Sequence, residues 1–238
     1  MKSPNAWWVL SALALLGCKE TVSSEHIRTG GIALLTDVIA TSDDRTRVHT
    51  ELRVGGDESN TFVILDDSDR LFAYADGDEL RMREVAQGVY EAEFGIAGED
   101  TEFEVVLERE DDETAACSGR LPAPFEITSS YGPVAISRSS DDLELTWEPS
   151  DQGDLMRVAF DDGTPGCIRF ERERDIPDEG SFVLEAGTLE SRSSMNPETC
   201  RIDAVLARLR NGTTDALLDD ESRFSLRQER RVAFRSGP

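Results

Sequence analysis

The sequence predicts an all-β protein, built as two tandem antiparallel β-sandwich domains behind a cleavable leader and a short tether. Three observations carry this. After residue 30, apolar and polar residues alternate in short runs, as they do when successive side chains point to opposite faces of a strand. Turn clusters rich in Asp and Gly separate these runs at intervals of about 8–12 residues, the rhythm of sandwiches and barrels. The segment Leu121-Pro122-Ala123-Pro124-Phe125 divides the alternation into two halves. Proline lacks an N–H and holds the preceding residue extended, so the segment reads as a crossing between domain 1 (30–124) and domain 2 (125–238).

In domain 1 the expected strands are 31–41 (GIALLTDVIAT), 47–54, 61–65, 70–74, 79–85, 89–94 and 102–109. The last is typical: Phe103, Val105 and Leu107 share one face, and Glu102, Glu104 and Glu108 the other. Turns are expected at 42–44, 55–60, 66–69, 76–78, 97–100 and 110–113. No amphipathic helix is expected before residue 125. Domain 2 offers 125–128, 134–137, 142–149 and 156–160, the last running into the hairpin signal Asp161-Asp162-Gly163. Runs at 167–172, 181–184 and 200–210 follow. The last could be helix or strand, and Asn211-Gly212 decides for strand. Residues 224–226 and 232–234 close the domain.

At DLELTWEP, Leu143, Leu145 and Trp147 share a face ahead of Pro149. This stretch resembles a fibronectin type III or related immunoglobulin-like module, in which an early strand of this form carries a core tryptophan. The resemblance implies a sandwich with residues 156–160 as the next strand. The family's later tyrosine has no clear match, and Cys167 and Cys200 are additions to its pattern.

The leader is the most specific signal. Lys2 supplies a positive start, and residues 6–16 form an apolar run broken only by Ser11. That run is shorter than the roughly 20 residues needed to span a bilayer, and it fits the apolar region of a secretory signal. It ends in Leu15-Leu16-Gly17-Cys18, which resembles the lipobox of bacterial lipoproteins. The resemblance implies cleavage after residue 17, acylation of Cys18 as mature residue 1, and a lipid bilayer as partner through the acyl chains. Several chains on one residue satisfy the requirement for stable anchoring. Lys19, where Asp would signal retention in the inner membrane, implies the outer membrane. Residues 18–29 then read as a lipidated, flexible polar tether with His26 solvated.

Acidic residues number 49 against 25 basic ones, giving a formal charge of −24. Such a balance excludes nucleic acid and electrostatic binding to anionic lipid, both of which need Lys and Arg. Of the four cysteines, Cys167 and Cys200 each lie beside a strand-like run and a turn signal, and they form the expected disulfide. Their loop of about 34 residues is worth roughly 3 kcal/mol in the chain-entropy model. Cys117 is left as a buried or idle thiol. The close Cys pairs that zinc needs are absent.

Little in the sequence points to catalysis. The two histidines, His26 and His49, have no local partner motif, and His49 lies out of phase with Val48, Thr50 and Leu52, so it is expected to face solvent. With so many acids, close carboxylate pairs arise by chance. One calcium hypothesis stands out: Asp66, Asp67 and Asp69 lie across one short strand from Asp76 and Asp78, and hard oxygens on neighbouring loops can hold Ca²⁺. Ordinary turn chemistry explains the same residues. The basic stretch 227–234 (RQERRVAF) is expected to pair across strands with nearby acids. The whole points to an outer-membrane-anchored lipoprotein with a non-catalytic binding or structural role, whose partner is an envelope protein or polysaccharide. The alternatives are a carbohydrate-active or other hydrolase using paired carboxylates, and a calcium-stabilised adhesion module.

Overall fold

The computed structural model describes residues 20–42, 44–162, 167–169, 173–192 and 199–238. The expected signal, residues 1–17, and the lipidation site Cys18 lie outside the described residues. Among the described residues the chain is all-β apart from two 3-10 turns, Ser24–His26 and Thr29–Gly31. The strands are β1 (Glu20–Ser23), β2 (Ala33–Ser42), β3 (Arg45–Arg53), β4 (Thr61–Ile64), β5 (Arg70–Ala75), β6 (Asp78–Arg81), β7 (Arg83–Ala86), β8 (Val89–Phe94), β9 (Glu102–Glu108), β10 (Ala115–Arg120), β11 (Glu126–Ile127), β12 (Ile136–Ser137), β13 (Leu143–Glu148), β14 (Leu155–Asp162), β15 (Arg174–Ile176), β16 (Ser181–Leu184), β17 (Cys200–Asn211) and β18 (Arg223–Gly237).

One large sheet runs β1-β4-β3-β2-β18-β17-β14-β15, with β8 and β7 continuing from β3 and β12 beside β18. Two small sheets, β10-β9-β5-β6 and β11-β13-β16, cover it. Alternation places Leu34, Val38, Val48 and Leu52 of the large sheet against Leu71, Phe103, Val105 and Leu107 of the first small sheet. A second core joins Met156, Val158, Phe160 and Ile202 to Leu143, Leu145 and Trp147. The all-β sandwich class expected from the sequence is thus observed, with one addition: both sandwiches share the large sheet.

The sharing is done by β18. Its 15 residues extend about 50 Å at roughly 3.3 Å per residue. The even-numbered residues face inward. Phe224 and Leu226 enter the first core, Phe234 enters the second, and fully buried Gln228 sits between them. The sequence reading expected two short strands, 224–226 and 232–234. The polar middle RQERR hid their continuity, because it lies over the seam between cores rather than over either one. The residues before this seam, Arg223 to Gln228, pair parallel with Leu35 to Ala40 of β2. The pairs β1–β4 and β12–β18 are also parallel, an exception to the antiparallel expectation.

Three other differences have physical causes. Residues 79–85 are two strands, β6 and β7, either side of buried Met82. β10 has small residues and so carries no apolar signature. A Cβ on Gly119 would come within 2.5 Å of Leu226, and within 2.9 Å of Gly212. The lack of side chains there lets β10 approach the β17–β18 hairpin, where Ser118 and Thr213 exchange backbone hydrogen bonds at 3.0 and 2.7 Å. Finally, residues 20–29 are not a free tether. β1 pairs with β4, Val22 and Ile27 pack on the first core, and Ser24 and Thr29 are buried. These polar side chains belong to the segment expected as a flexible tether, yet they serve as internal hydrogen-bond partners. Ser24 Oγ accepts from the Asp66 amide, and Thr29 Oγ1 donates to the Glu113 carbonyl.

Candidate functional site

Among the described residues, the seam between the sandwiches is the most organised polar region. Two prolines leave the crossing poor in donors, while buried carbonyls must find partners. β17 and β18 supply them. The Leu121 carbonyl accepts from Arg210 Nη1 at 3.1 Å, and the Pro122 carbonyl from Gln228 Nε2 at 3.3 Å. The Ala123 and Pro124 carbonyls accept from Arg208 Nη1 at 2.9 and 3.3 Å. Arg208 and Gln228 are directly opposite in the β17–β18 ladder and both are fully buried.

Arg208 carries its charge into the second core. Its Nη2 lies 3.0 Å from Asp178 Oδ2 and donates to the Pro149 carbonyl at 2.6 Å, and the guanidinium lies over the Phe125 ring. Asp178 also accepts from Trp147 Nε1 at 2.7 Å and from the Gln152 amide at 3.1 Å. A buried carboxylate of this kind is stable only when paired and hydrogen-bonded. Arg210 adds a bridge across the seam, reaching Asp100 at 3.0 Å and Asp154 at 2.8 Å. The sequence reading missed this network. Its signal was Arg208 in phase with Ile202, Ala204 and Leu206, a charge where alternation demands an apolar side chain.

A second buried ion pair sits under the amino-terminal segment. Arg109 and Asp69 approach to 2.6 Å, each side chain 4% exposed. Arg109 Nη2 donates to the Ser24 and Ile27 carbonyls at 2.8 and 3.0 Å. A cleft of about 290 Å³ opens here, walled by His26, Asp66, Asp111 and Asp112. Asp66 and Asp112 are held below the usual carboxylate range. The Ser68 hydroxyl is the main cause for Asp66, and the Thr29 amide for Asp112.

The five aspartates of the calcium hypothesis do not converge. The reason is β5, whose six residues place Asp66, Asp67 and Asp69 at one end and Asp76 and Asp78 at the other, about 20 Å apart. Asp66 Oδ1 is occupied by Ser68 and Asp69, Asp69 by Arg109, and Asp76 Oδ1 by the Glu102 amide. Asp67 and Asp78 stand on turn and edge positions without joining them. Among the described residues, the one group of potential metal ligands within 4.8 Å is Asp162, Cys167 and Cys200. Its two sulfurs are joined to each other, which leaves no thiolate for a metal.

The expected disulfide Cys167–Cys200 is formed, with Cα atoms 6.2 Å apart. Arg138 Nη1 lies 3.7 and 3.6 Å from the two sulfurs and donates to the Ser236 carbonyl at 3.1 Å, so the bond is tied to the far end of β18. Cys117 is buried in the first core, where burial pushes its thiol up to about 11. His49 stands on the outer face of β3 as its phase implied. It is only 28% exposed, because Glu91 Oε1 at 3.0 Å and Glu51 Oε1 at 3.6 Å flank it. The basic stretch 227–234 is paired with acids: Arg231 with Asp161 at 3.0 Å and with Glu229 at 2.9 Å.

No protein-family model matches the chain, and no curated protein matches it. Solved structures similar to it include a two-immunoglobulin-domain structure of DIP-gamma, at 9% identity and TM-score 0.26, covering 84% of this chain and 96% of that one. A two-domain fibronectin type III segment of chicken tenascin is similar at 11% identity and TM-score 0.25, covering 87% and 99%. The Yersinia pseudotuberculosis adhesin InvE is similar at 11% identity and TM-score 0.24, covering 86% and 58%. Scores this low leave topology and function to the chain's own geometry.

Proposed function

We propose that the chain is an outer-membrane lipoprotein, anchored through Cys18, whose two sandwiches form one stiff, non-catalytic arm that presents its second sandwich to an envelope protein or polysaccharide. The observation that supports this most is the seam. A strand common to both sandwiches, together with side-chain donors on each carbonyl from Leu121 to Pro124, leaves no free hinge between the cores among the described residues. Inter-domain motion is the default where a linker is exposed and few contacts cross it, and neither condition holds here.

Register gives the arm a direction. Thr21 of β1 is level with Phe62, Arg53 and Ala33, close to the start of β18 at Arg223, which pairs with Leu35. Only Lys19 separates Cys18 from β1, a reach of about 7 Å at most. An anchor at Cys18 therefore holds the first sandwich against the bilayer, while β18 carries the second away from it.

Hydrolysis by paired carboxylates finds no support in the cleft beside Arg109. A general acid needs a raised carboxyl pKa, whereas Asp66 and Asp112 are lowered by hydrogen bonds.

Two measurements test the proposal. Metabolic labelling with an alkyne fatty acid should mark the wild type and not Cys18→Ser; equal labelling removes the anchor. Spin labels at exposed Glu58 and Ser140, one in each sandwich, should give one narrow distance distribution; a broad one removes the stiff arm.

A further inference from the structure

β5 turns its aromatic residues away from the core. Alternation puts Leu71, Ala73 and Ala75 into the first core and leaves Phe72 and Tyr74, both half-buried, on the outer face of the small sheet β10-β9-β5-β6. Neither ring belongs to either core. Two rows of side chains cross this face. In one, Ala116, Val106 and Phe72 stand side by side on β10, β9 and β5, and Arg81 of β6 ends the row. In the next, Ser118, Glu104, Tyr74 and Glu79 follow the same order of strands. The rows are two residues apart, about 6.6–6.8 Å.

The first row accounts for itself, because an aromatic ring beside a β-branched residue is a stabilising cross-strand pair. The second does not. Glu79 accepts from the Tyr74 hydroxyl at 3.0 Å. Glu104, on the other side of the ring, and Glu108 have no ion-pair partner within 4.0 Å among the described residues, whereas Glu102 is paired with Arg120 at 2.8 Å. The Tyr74 phenol is pushed up, first by burial and then by Glu79, Glu108 and Glu104. The bases nearest in register, Arg70 and Arg81, flank the apolar row instead. Negative charge is thus gathered at one end of the aromatic pair and left uncompensated there.

We propose that this face docks an extended segment of a partner protein in which a Lys or Arg stands two positions from a large apolar residue. Laid along β5, such a segment shows alternate side chains to the face at the same repeat as the two rows. The cation meets the Tyr74 ring between Glu79 and Glu104, where ring and carboxylates both attract it. The apolar residue covers Phe72 and Val106. Arg70 and Arg81 repel a cation at the apolar row, so the order of the two side chains is set as well. Charge complementarity selects a basic partner over a second copy, since chains of formal charge −24 repel one another. The face lies in the first sandwich, and its use depends neither on the anchor nor on what the second sandwich meets.

The test titrates the full chain with the peptide (Lys-Ser-Leu-Ser)3 and with (Lys-Leu-Ser-Ser)3. The two have the same composition and charge, but only the first puts Lys and Leu on one side of an extended chain. The first should bind about tenfold tighter, the scale of one partly buried apolar side chain. Phe72→Thr should erase that difference. Glu79→Gln with Glu104→Gln should weaken both peptides, and Tyr74→Thr should do the same. All of these side chains lie outside the core, so the melting temperature should hold. Glu58→Gln with Asp67→Asn, which removes two charges from exposed turns, should change neither affinity. Carbodiimide coupling of the bound peptide's lysines should fall on Glu79, Glu104 or Glu108. Four results overturn the proposal: equal affinity for the two peptides, equal weakening by the turn variant, coupling elsewhere on the chain, or self-association of the chain that Phe72→Thr with Tyr74→Thr abolishes, which would make a second copy the occupant.

Discussion

The two sandwiches hold themselves together differently. The first has long ladders: nine- and ten-residue strands in the large sheet, faced by a four-stranded small sheet whose central pair, β5 and β9, is joined over six residues. Its cysteine is an unpaired, buried thiol. The second has a small sheet of only three strands, of two, six and four residues. It also carries the disulfide, the Arg138 contacts to it, and the Arg208–Asp178–Trp147 network. Its part of the large sheet has long ladders too, so it is over the short strands of its small sheet that covalent and ionic cross-links are added. The first sandwich keeps its ion pair, Arg109–Asp69, for its added amino-terminal strand rather than for its centre.

Breaking the seam network should have the largest effect. Arg208→Ala leaves Asp178 buried without its charge partner, a loss of about 3–5 kcal/mol, read by denaturant unfolding. Arg208→Met with Asp178→Asn should recover part of it, because the stranded charge is gone. Arg109→Ala should cost less, with hydrogen exchange rising mainly in residues 20–31. Equal global losses would erase the contrast between centre and periphery.

Opening the disulfide comes next. Cys167→Ala with Cys200→Ala removes a loop closure worth about 3–4 kcal/mol. Exchange should rise in β13, β14 and β16 and stay unchanged in β5 and β9. Trp147→Phe removes one hydrogen bond to the Asp178 carboxylate, about 1.5–3 kcal/mol, with a smaller rise confined to the second core.

The smallest effect is acid release of the amino-terminal strand. The folded pKa of Asp112 lies below its ordinary value of 3.8, chiefly through the Thr29 amide. Its contribution is complete above that ordinary value and is lost as pH falls through the lower folded one. Proteolysis of residues 20–31 should therefore increase as the pH falls below about 4, and Asp112→Asn should flatten the response.

Much of this architecture was legible. Alternation exposed most strands because each sheet has one wet face, but it did not show that Leu218, Phe224 and Leu226, expected in the second half, pack in the first core. The preferred cysteine pair, Cys167 with Cys200, is the one formed. What escaped was polarity turned inward. Gln228 and Arg208 carry no apolar signature, yet they close the seam. Ser24 and Thr29 read as tether, yet they are buried partners. Clustered Asp66, Asp67 and Asp69 and nearby Asp76 and Asp78 read as one site because sequence spacing ignores the length of β5. Hydrophobic patterning reports which residues leave water, and it is silent on polar groups that leave it in pairs.

The placement of β18 also orders events in time. It follows the other strands among the described residues, yet it supplies core residues to both sandwiches and pairs Arg223 with Leu35, 188 residues earlier. Neither core can close until this strand has been made. Contacts of such sequence separation also form slowly. Both halves therefore close around a single late strand, and neither is complete without it.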